Sequence, residues 1–215
     1  MARKGSVLRE FPILVIVALA VSLVIKTFLV QFFYIPSGSM ENTLQINDRV
    51  AVNKLPFLSQ SISRGDVVVF RDPANWLPEP YAGNSNTVVE KIKEGLVTVG
   101  ILPNPAKQYL VKRVIGIAGD TVVAKDGVLT INGKATSEPY IFAGNKPSEM
   151  DFKVTVPTGK VWVMGDHRGA SADSRYHQDD VNNGFVPVSK ITGRAFAIIW
   201  PVKNFGLIPS HNPIQ

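Results

Sequence analysis

Residues 35–40 read Ile35-Pro36-Ser37-Gly38-Ser39-Met40, and they divide the chain into two parts of different character. Upstream, Phe11 to Ile35 is apolar apart from Ser22, Lys26, Thr27 and Gln31, a run of about 25 residues. That exceeds the roughly 20 residues a membrane-spanning helix needs. Downstream, short β-branched runs are punctuated by Asn, Pro and Gly, the pattern of a β-rich body. Serines beside Pro and Gly are ordinary turn residues, so the six residues alone say nothing of chemistry.

The upstream part predicts a single spanning helix over 11–35 behind a short N-terminus, residues 1–10. Arg3, Lys4 and Arg9 precede it, and the excess of positive charge keeps the N-terminus cytoplasmic. Everything from residue 36 then lies outside the cell membrane. Pro12 is placed in the first turn, where its missing N–H costs nothing. Lys26 reaches the interface by its long stem, beside the aromatic belt Phe32, Phe33 and Tyr34. Ala18-Leu19-Ala20 offers the alternative of a cleavable leader. The apolar run continues well past a leader's usual length, which favours a retained anchor.

In the outer part, strands are expected at Arg49–Asn53, Asp66–Phe70, Tyr109–Ala118, Phe152–Val156, Lys160–Met164 and Ile191–Trp200. Asp126-Gly127 and Asn132-Gly133 are two hairpin signals, placing a small β-lobe at about 120–160. Asp72 to Asn86 reads as a loop, and Val89, Ile92, Leu96 and Val99 recur at helical spacing. A short helix is therefore expected at about 87–99 inside an insertion over 72–108. The fold expected is mainly β: one N-terminal helix, an antiparallel catalytic body, a smaller second β-lobe and one inserted helix.

Of the 215 residues 45% are hydrophobic and 19% charged, with a formal net charge of +6. No zinc spacing, basic helix or aromatic RNA-binding motif accompanies that charge, so a lipid surface explains it better than nucleic acid. There is no cysteine, which excludes disulfides and thiolate metal sites.

Three segments carry polar chemistry. His167 and His177 flank an acidic loop, but neither fits H-E-x-x-H nor a zinc pattern, and no G-x-S-x-G elbow exists. Both are read as loop residues, and His211 as a solvated residue of a Pro-rich tail. Lys112 sits in the apolar run Tyr109-Leu-Val-Lys-Arg-Val-Ile-Gly-Ile-Ala118, and strand alternation sets it opposite Val111 and Arg113. Burial there would lower its pKa enough to activate a serine. From spacing alone the commoner role, an edge-strand lysine that blocks aggregation, is favoured. Met164 to Arg175 interleaves Gly, Ser, Asp and Arg after a strand, a loop that Asp–Arg pairs can knit.

Taken in order, an N-terminal apolar run, "PSGSM" with Thr43-Leu44, "GDVVVF", "KRVIG.AGD" and "GD.R..S.DSR" resemble the type I signal peptidases, membrane-anchored Ser-Lys endopeptidases. The resemblance covers nearly the whole chain. It implies Ser39 as nucleophile and Lys112 as general base, with Ser37 joining the Ser39 amide in the oxyanion hole and Ser171 orienting the lysine. It further implies structural pairing of Arg113 with Asp166 and of Asp173 with Arg175. Ile35, Pro36, Met40, Leu44, Leu110 and Val111 would line pockets for small substrate residues.

The activity implied is removal of signal peptides from exported preproteins after A-x-A sites through an acyl-enzyme, without metal or cofactor. The implied partners are signal peptides and the lipid bilayer, with the export machinery left open. Asn42 departs from the family pattern where Pro is usual, and His167, Gly169 and Ala170 depart where it has Asn, Asp and Asn. A specialised Ser-Lys processing peptidase and a silent membrane-tethered peptide-binding β-module are the rival readings. A self-cleaving repressor would carry a helix-turn-helix domain instead of the apolar run.

Overall fold

The computed structural model describes residues 7–54, 62–78 and 108–214. The helix expected at about 87–99 lies outside them, as does most of the 72–108 insertion. The chain opens with helix α1, Val7–Phe28, and Pro12 lies inside it rather than in its first turn. Two features of the expected spanning segment change. The helix stops at Phe28, and Val30–Tyr34 forms strand β1 instead. The reason is pairing: β1 runs antiparallel to Arg49–Asn53 (β2), setting Phe33 opposite Val50 and burying its ring. Among the described residues no helix is long and apolar enough to cross a membrane.

The remaining strands are Val67–Arg71 (β3), Tyr109–Gly116 (β4), Thr121–Lys125 (β5), Val128–Ile131 (β6), Lys134–Ala135 (β7), Phe152–Thr155 (β8), Lys160–Met164 (β9), Val186–Pro187 (β10), Ile191–Trp200 (β11) and Gly206–Leu207 (β12). All pairings are antiparallel. The larger sheet has the order β1-β2-β11-β3-β4-β9-β10, with β12 added to β11. The smaller is β7-β6-β5-β8 and is the lobe expected at 120–160. Its hairpin turns place Asp126, Gly127, Asn132 and Gly133 at φ of 52°, 80°, 53° and 77°, which Asn, Asp and Gly tolerate best.

Three apolar clusters follow from strand alternation. Val67, Val69 and Val111 pack on Phe33, Ile35, Met40 and Leu44. On the opposite face Val68, Phe70, Leu110 and Val114 pack on Trp76, Val161 and Val163. The third cluster, around Trp162, Phe152 and Leu129, joins the two sheets. β4 is thus an interior strand between β3 and β9. The reading of Lys112 as an edge-strand lysine is overturned by this placement, since its neighbours in the sheet come from segments far away in sequence.

Candidate active site

The serine loop is pinned by its apolar neighbours. Ile35, Met40 and Leu44 are buried in the core, and the backbone between them curls through Glu41 N–H to Gly38 O (3.0 Å) and Leu44 N–H to Met40 O (2.7 Å). Ser39 is held between these anchors with 9% of its surface exposed. Its carbonyl accepts the His167 N–H at 3.1 Å, tying the loop to the segment after β9. Gly165 sits at that junction, where an added Cβ would collide with the Ser171 hydroxyl and the Ser39 carbonyl oxygen. A glycine is required there for close approach.

Lys112, on β4, is 4% exposed. Its Nζ donates to Ser39 Oγ at 2.7 Å and to the Val111 carbonyl at 3.1 Å. Burial lowers its pKa from 10.5 to about 8, opposed by the charges of Asp173 and Asp166 and assisted by that of Arg175. Both acceptors are uncharged, so nothing in contact offsets the desolvation of the ammonium.

Immediately beside the lysine lies a buried ionic lattice. Arg113 donates to both oxygens of Asp166, at 2.9 and 2.7 Å, and to the Gly65 carbonyl at 2.8 Å. Its guanidinium lies 4.0 Å from the Tyr140 ring centre. Thr43 Oγ1 donates to the same Asp166 carboxylate at 2.5 Å, which joins the serine loop to the lattice. Asp173 accepts two bonds from the Arg175 guanidinium and the Gly165 N–H. The pairs expected from the resemblance are thus both formed. The motif contains Arg168 but gave it no partner; it is fully buried and paired with Glu138 at 2.5 Å, thirty residues away, where no spacing rule links them.

A cavity of about 300 Å³ opens over Ser39 and Lys112. Ile35, Pro36, Met40, Leu110 and Val111 line it, as does exposed Ser37. Leu44 does not; it is fully buried beneath the serine loop. Ser171 is buried close by, but its hydroxyl has no hydrogen-bond partner among the described residues and is not bonded to Lys112. Phe33, Tyr34, Tyr109, Trp76, Leu77, Ala170 and Ala172 complete the lining and were not anticipated. An aromatic side chain within the Pro- and Asn-rich stretch after Asp72 was the available signal for Trp76.

Three of the four departures have local accounts. Asn42 has φ +87°, a left-handed conformation that Asn tolerates and Pro, fixed near −65°, cannot adopt. His167 stacks on Phe142 with ring centres 4.1 Å apart, and its Nδ1 lies 3.2 Å from Glu41 Oε2. The Gly169 N–H donates to Asn145 Oδ1 at 3.0 Å. His177 stacks on Trp76. His211 is not solvated as expected, for its ring meets Tyr140 edge-on and its Nε2 is buried.

A serine hydroxyl hydrogen-bonded to a desolvated lysine, beside an apolar cavity, is an arrangement in which a lysine can activate a serine. The family described as "Signal peptidase, peptidase S26" matches residues 8–200. The chain belongs to the type I signal peptidases, serine endopeptidases of that family. It is 38% identical to the probable signal peptidase I of Mycobacterium leprae, over 99% of this chain and 83% of that one. It is 39% identical to signal peptidase I of Mycobacterium tuberculosis, over 99% and 79%. A solved signal peptidase I from Enterococcus faecalis aligns at 25% identity and a TM-score of 0.40, over 63% of this chain and 97% of that one.

Proposed function

We propose that this signal peptidase cleaves preproteins with Ser39 as nucleophile and Lys112 as general base. The observation that carries the reading is the 2.7 Å contact between two buried side chains, Lys112 Nζ and Ser39 Oγ. Neutral Lys112 takes the hydroxyl proton as Oγ attacks the scissile carbonyl carbon. The oxyanion is received by the Ser39 N–H and the Ser37 hydroxyl; one such donor contributes about 2.7–4 kcal/mol in comparable sites. The C–N bond breaks, and the Lys112 ammonium returns its proton to the leaving amine. Water then attacks the acyl-enzyme, again giving a proton to Lys112, and Ser39 is regenerated.

Signal peptides are the substrates, bound extended along the Ile35 to Ser39 stretch by strand addition. Shallow pockets lined by Ile35, Pro36, Met40, Leu110 and Val111 take alternate small residues, giving cleavage after A-x-A. The protein works at the cell membrane with its N-terminus cytoplasmic and its β-body outside. The exposed apolar side chains of α1, among them Phe11, Leu14, Ile16 and Leu19, support an anchor in lipid. The test is cleavage of an A-x-A preprotein by the full chain in liposomes, with Ser39→Ala and Lys112→Ala alongside. Cutting after the second alanine that both substitutions abolish is expected. Cutting by Lys112→Ala at the parent rate would end the reading.

A further inference from the structure

Trp76 lies outside every motif that carries the family resemblance, yet it faces the same cavity as Ser39 and Lys112. It is held from several sides. The Asp72 carboxylate accepts the backbone N–H groups of Ala74, Trp76 and Leu77, at 3.0, 2.8 and 2.8 Å, an Asx-type arrangement that shapes the loop. The indole N–H donates to Asp180 Oδ2 at 2.7 Å. Asp180 is fixed in turn by the N–H groups of Asn182 and Gly184. His177 stacks on the indole with ring centres 4.3 Å apart, and Phe70 meets it edge-on at 5.9 Å. Asn182 Nδ2 also donates to the Pro73 carbonyl. With 7% of its surface exposed, the ring cannot retreat from a substrate side chain without breaking these contacts.

We infer that Trp76 determines specificity: with Leu77 it forms a fixed wall that limits the size of substrate side chain accepted beside Ser39. The inference rests on the Ser39–Lys112 reading above. Small Ala170 and Ala172 and bulky Leu110 and Trp76 line the same cavity. An extended peptide presents alternate side chains to one side, so the wall reads the residue before the cut or the third residue before it. One methylene in a rigid apolar pocket changes kcat/KM by roughly 10- to 200-fold. Shortening the indole therefore favours bulky residues selectively. Loss of a merely structural tryptophan would lower cleavage of every substrate by one common factor.

The test uses the full chain in detergent and peptides carrying Ala, Val, Leu or Phe at each of those two positions. The parent, Trp76→Ala, Trp76→Phe and Leu77→Ala are compared by kcat/KM on each peptide. The Leu-to-Ala ratio should rise at least about tenfold in Trp76→Ala, and several-fold in the milder variants, at one or both positions. A uniform fall with an unchanged ratio overturns the wall. Should Trp76→Ala fail to fold, the ratios of Trp76→Phe and Leu77→Ala decide in the same way. Parent cleavage of the alanine peptide, lost in Lys112→Ala, checks the underlying reading separately. Its absence overturns both readings, whereas cleavage with invariant ratios overturns the wall alone.

Discussion

Lys112 and Arg113 are consecutive on β4 and almost equally hidden, at 4% and 1% exposed, yet their surroundings differ in kind. Arg113 reaches both oxygens of Asp166, a backbone carbonyl and an aromatic face. Its charge is matched within the protein. Lys112 touches only a hydroxyl and a carbonyl oxygen, so burial outweighs the opposing charges of Asp173 and Asp166 and brings its pKa to about 8. Burial without a carboxylate in contact is what lowers the pKa of a lysine. Strand alternation separates the two side chains, so one strand sets Arg113 in its ion pair with Asp166 on one side and Lys112 against Ser39 on the other.

The comparison breaks most sharply if the two cations are interchangeable. Lys112→Arg keeps a positive charge beside Ser39 but cannot give up its proton. Its kcat should fall by roughly 10⁴-fold or more, as when a base is deleted, with the protein still folded by circular dichroism. Activity near the parent's would show that charge, not proton acceptance, is what Ser39 needs.

Removing the scaffold cation has a different expected signature. Arg113→Ala leaves the Asp166 carboxylate buried without its main partner, which costs about 3–5 kcal/mol. Chemical denaturation should show this as a lowered midpoint. A change under 1 kcal/mol would mean that Thr43 and water satisfy Asp166 unaided.

The opposite sign is expected at the lysine. The folded pKa of Lys112 lies below its ordinary value, so the unfolded chain binds the extra proton between pH 8 and 10.5. Burying the ammonium therefore destabilises the fold below pH 8, and the cost fades as pH rises through that window. Lys112→Met should be more stable than the parent at pH 7 by about 2 kcal/mol, after allowing for the lost hydrogen bonds. The gain should vanish above about pH 10.5, which thermal melts across the range would follow.

At the lower end stands an ion pair of ordinary kind. Arg194 lies 3.4 Å from the buried Asp66 with its own side chain 43% exposed, and because Asp66 also accepts the Ser63 N–H this long, half-exposed contact is expected to contribute about 0–1 kcal/mol. Arg194→Ala should shift the denaturation midpoint within that range, setting the scale against which Arg113 is judged.

Much of this arrangement was legible in the chain. The bounds of β2, β9 and β11 follow from β-branched runs ended by Asn, Gly or Pro, and the small lobe from two x-Gly turns. The motifs led to Ser39, Lys112 and the Arg113–Asp166 and Asp173–Arg175 pairs. Strand β1 stayed hidden because Val30–Tyr34 continues the apolar run of the helix, and only its pairing with β2 marks the change. The burial of Lys112 depends on β3 and β9, which no local window contains. The resemblance placed Leu44 among the pocket residues, but the turn at Met40–Leu44 sends it into the core. Trp76 reaches the cavity through contacts to Asp180 and His177, about a hundred residues away.

The most direct test of the central claim is the pH dependence of kcat/KM for the full chain on an A-x-A preprotein in liposomes. If Lys112 must be neutral to accept the Ser39 proton, the rate rises with pH, bends at about 8 and levels above it. A profile that is flat from pH 6 to 10, or that bends only near the ordinary lysine value of 10.5, would contradict the claim.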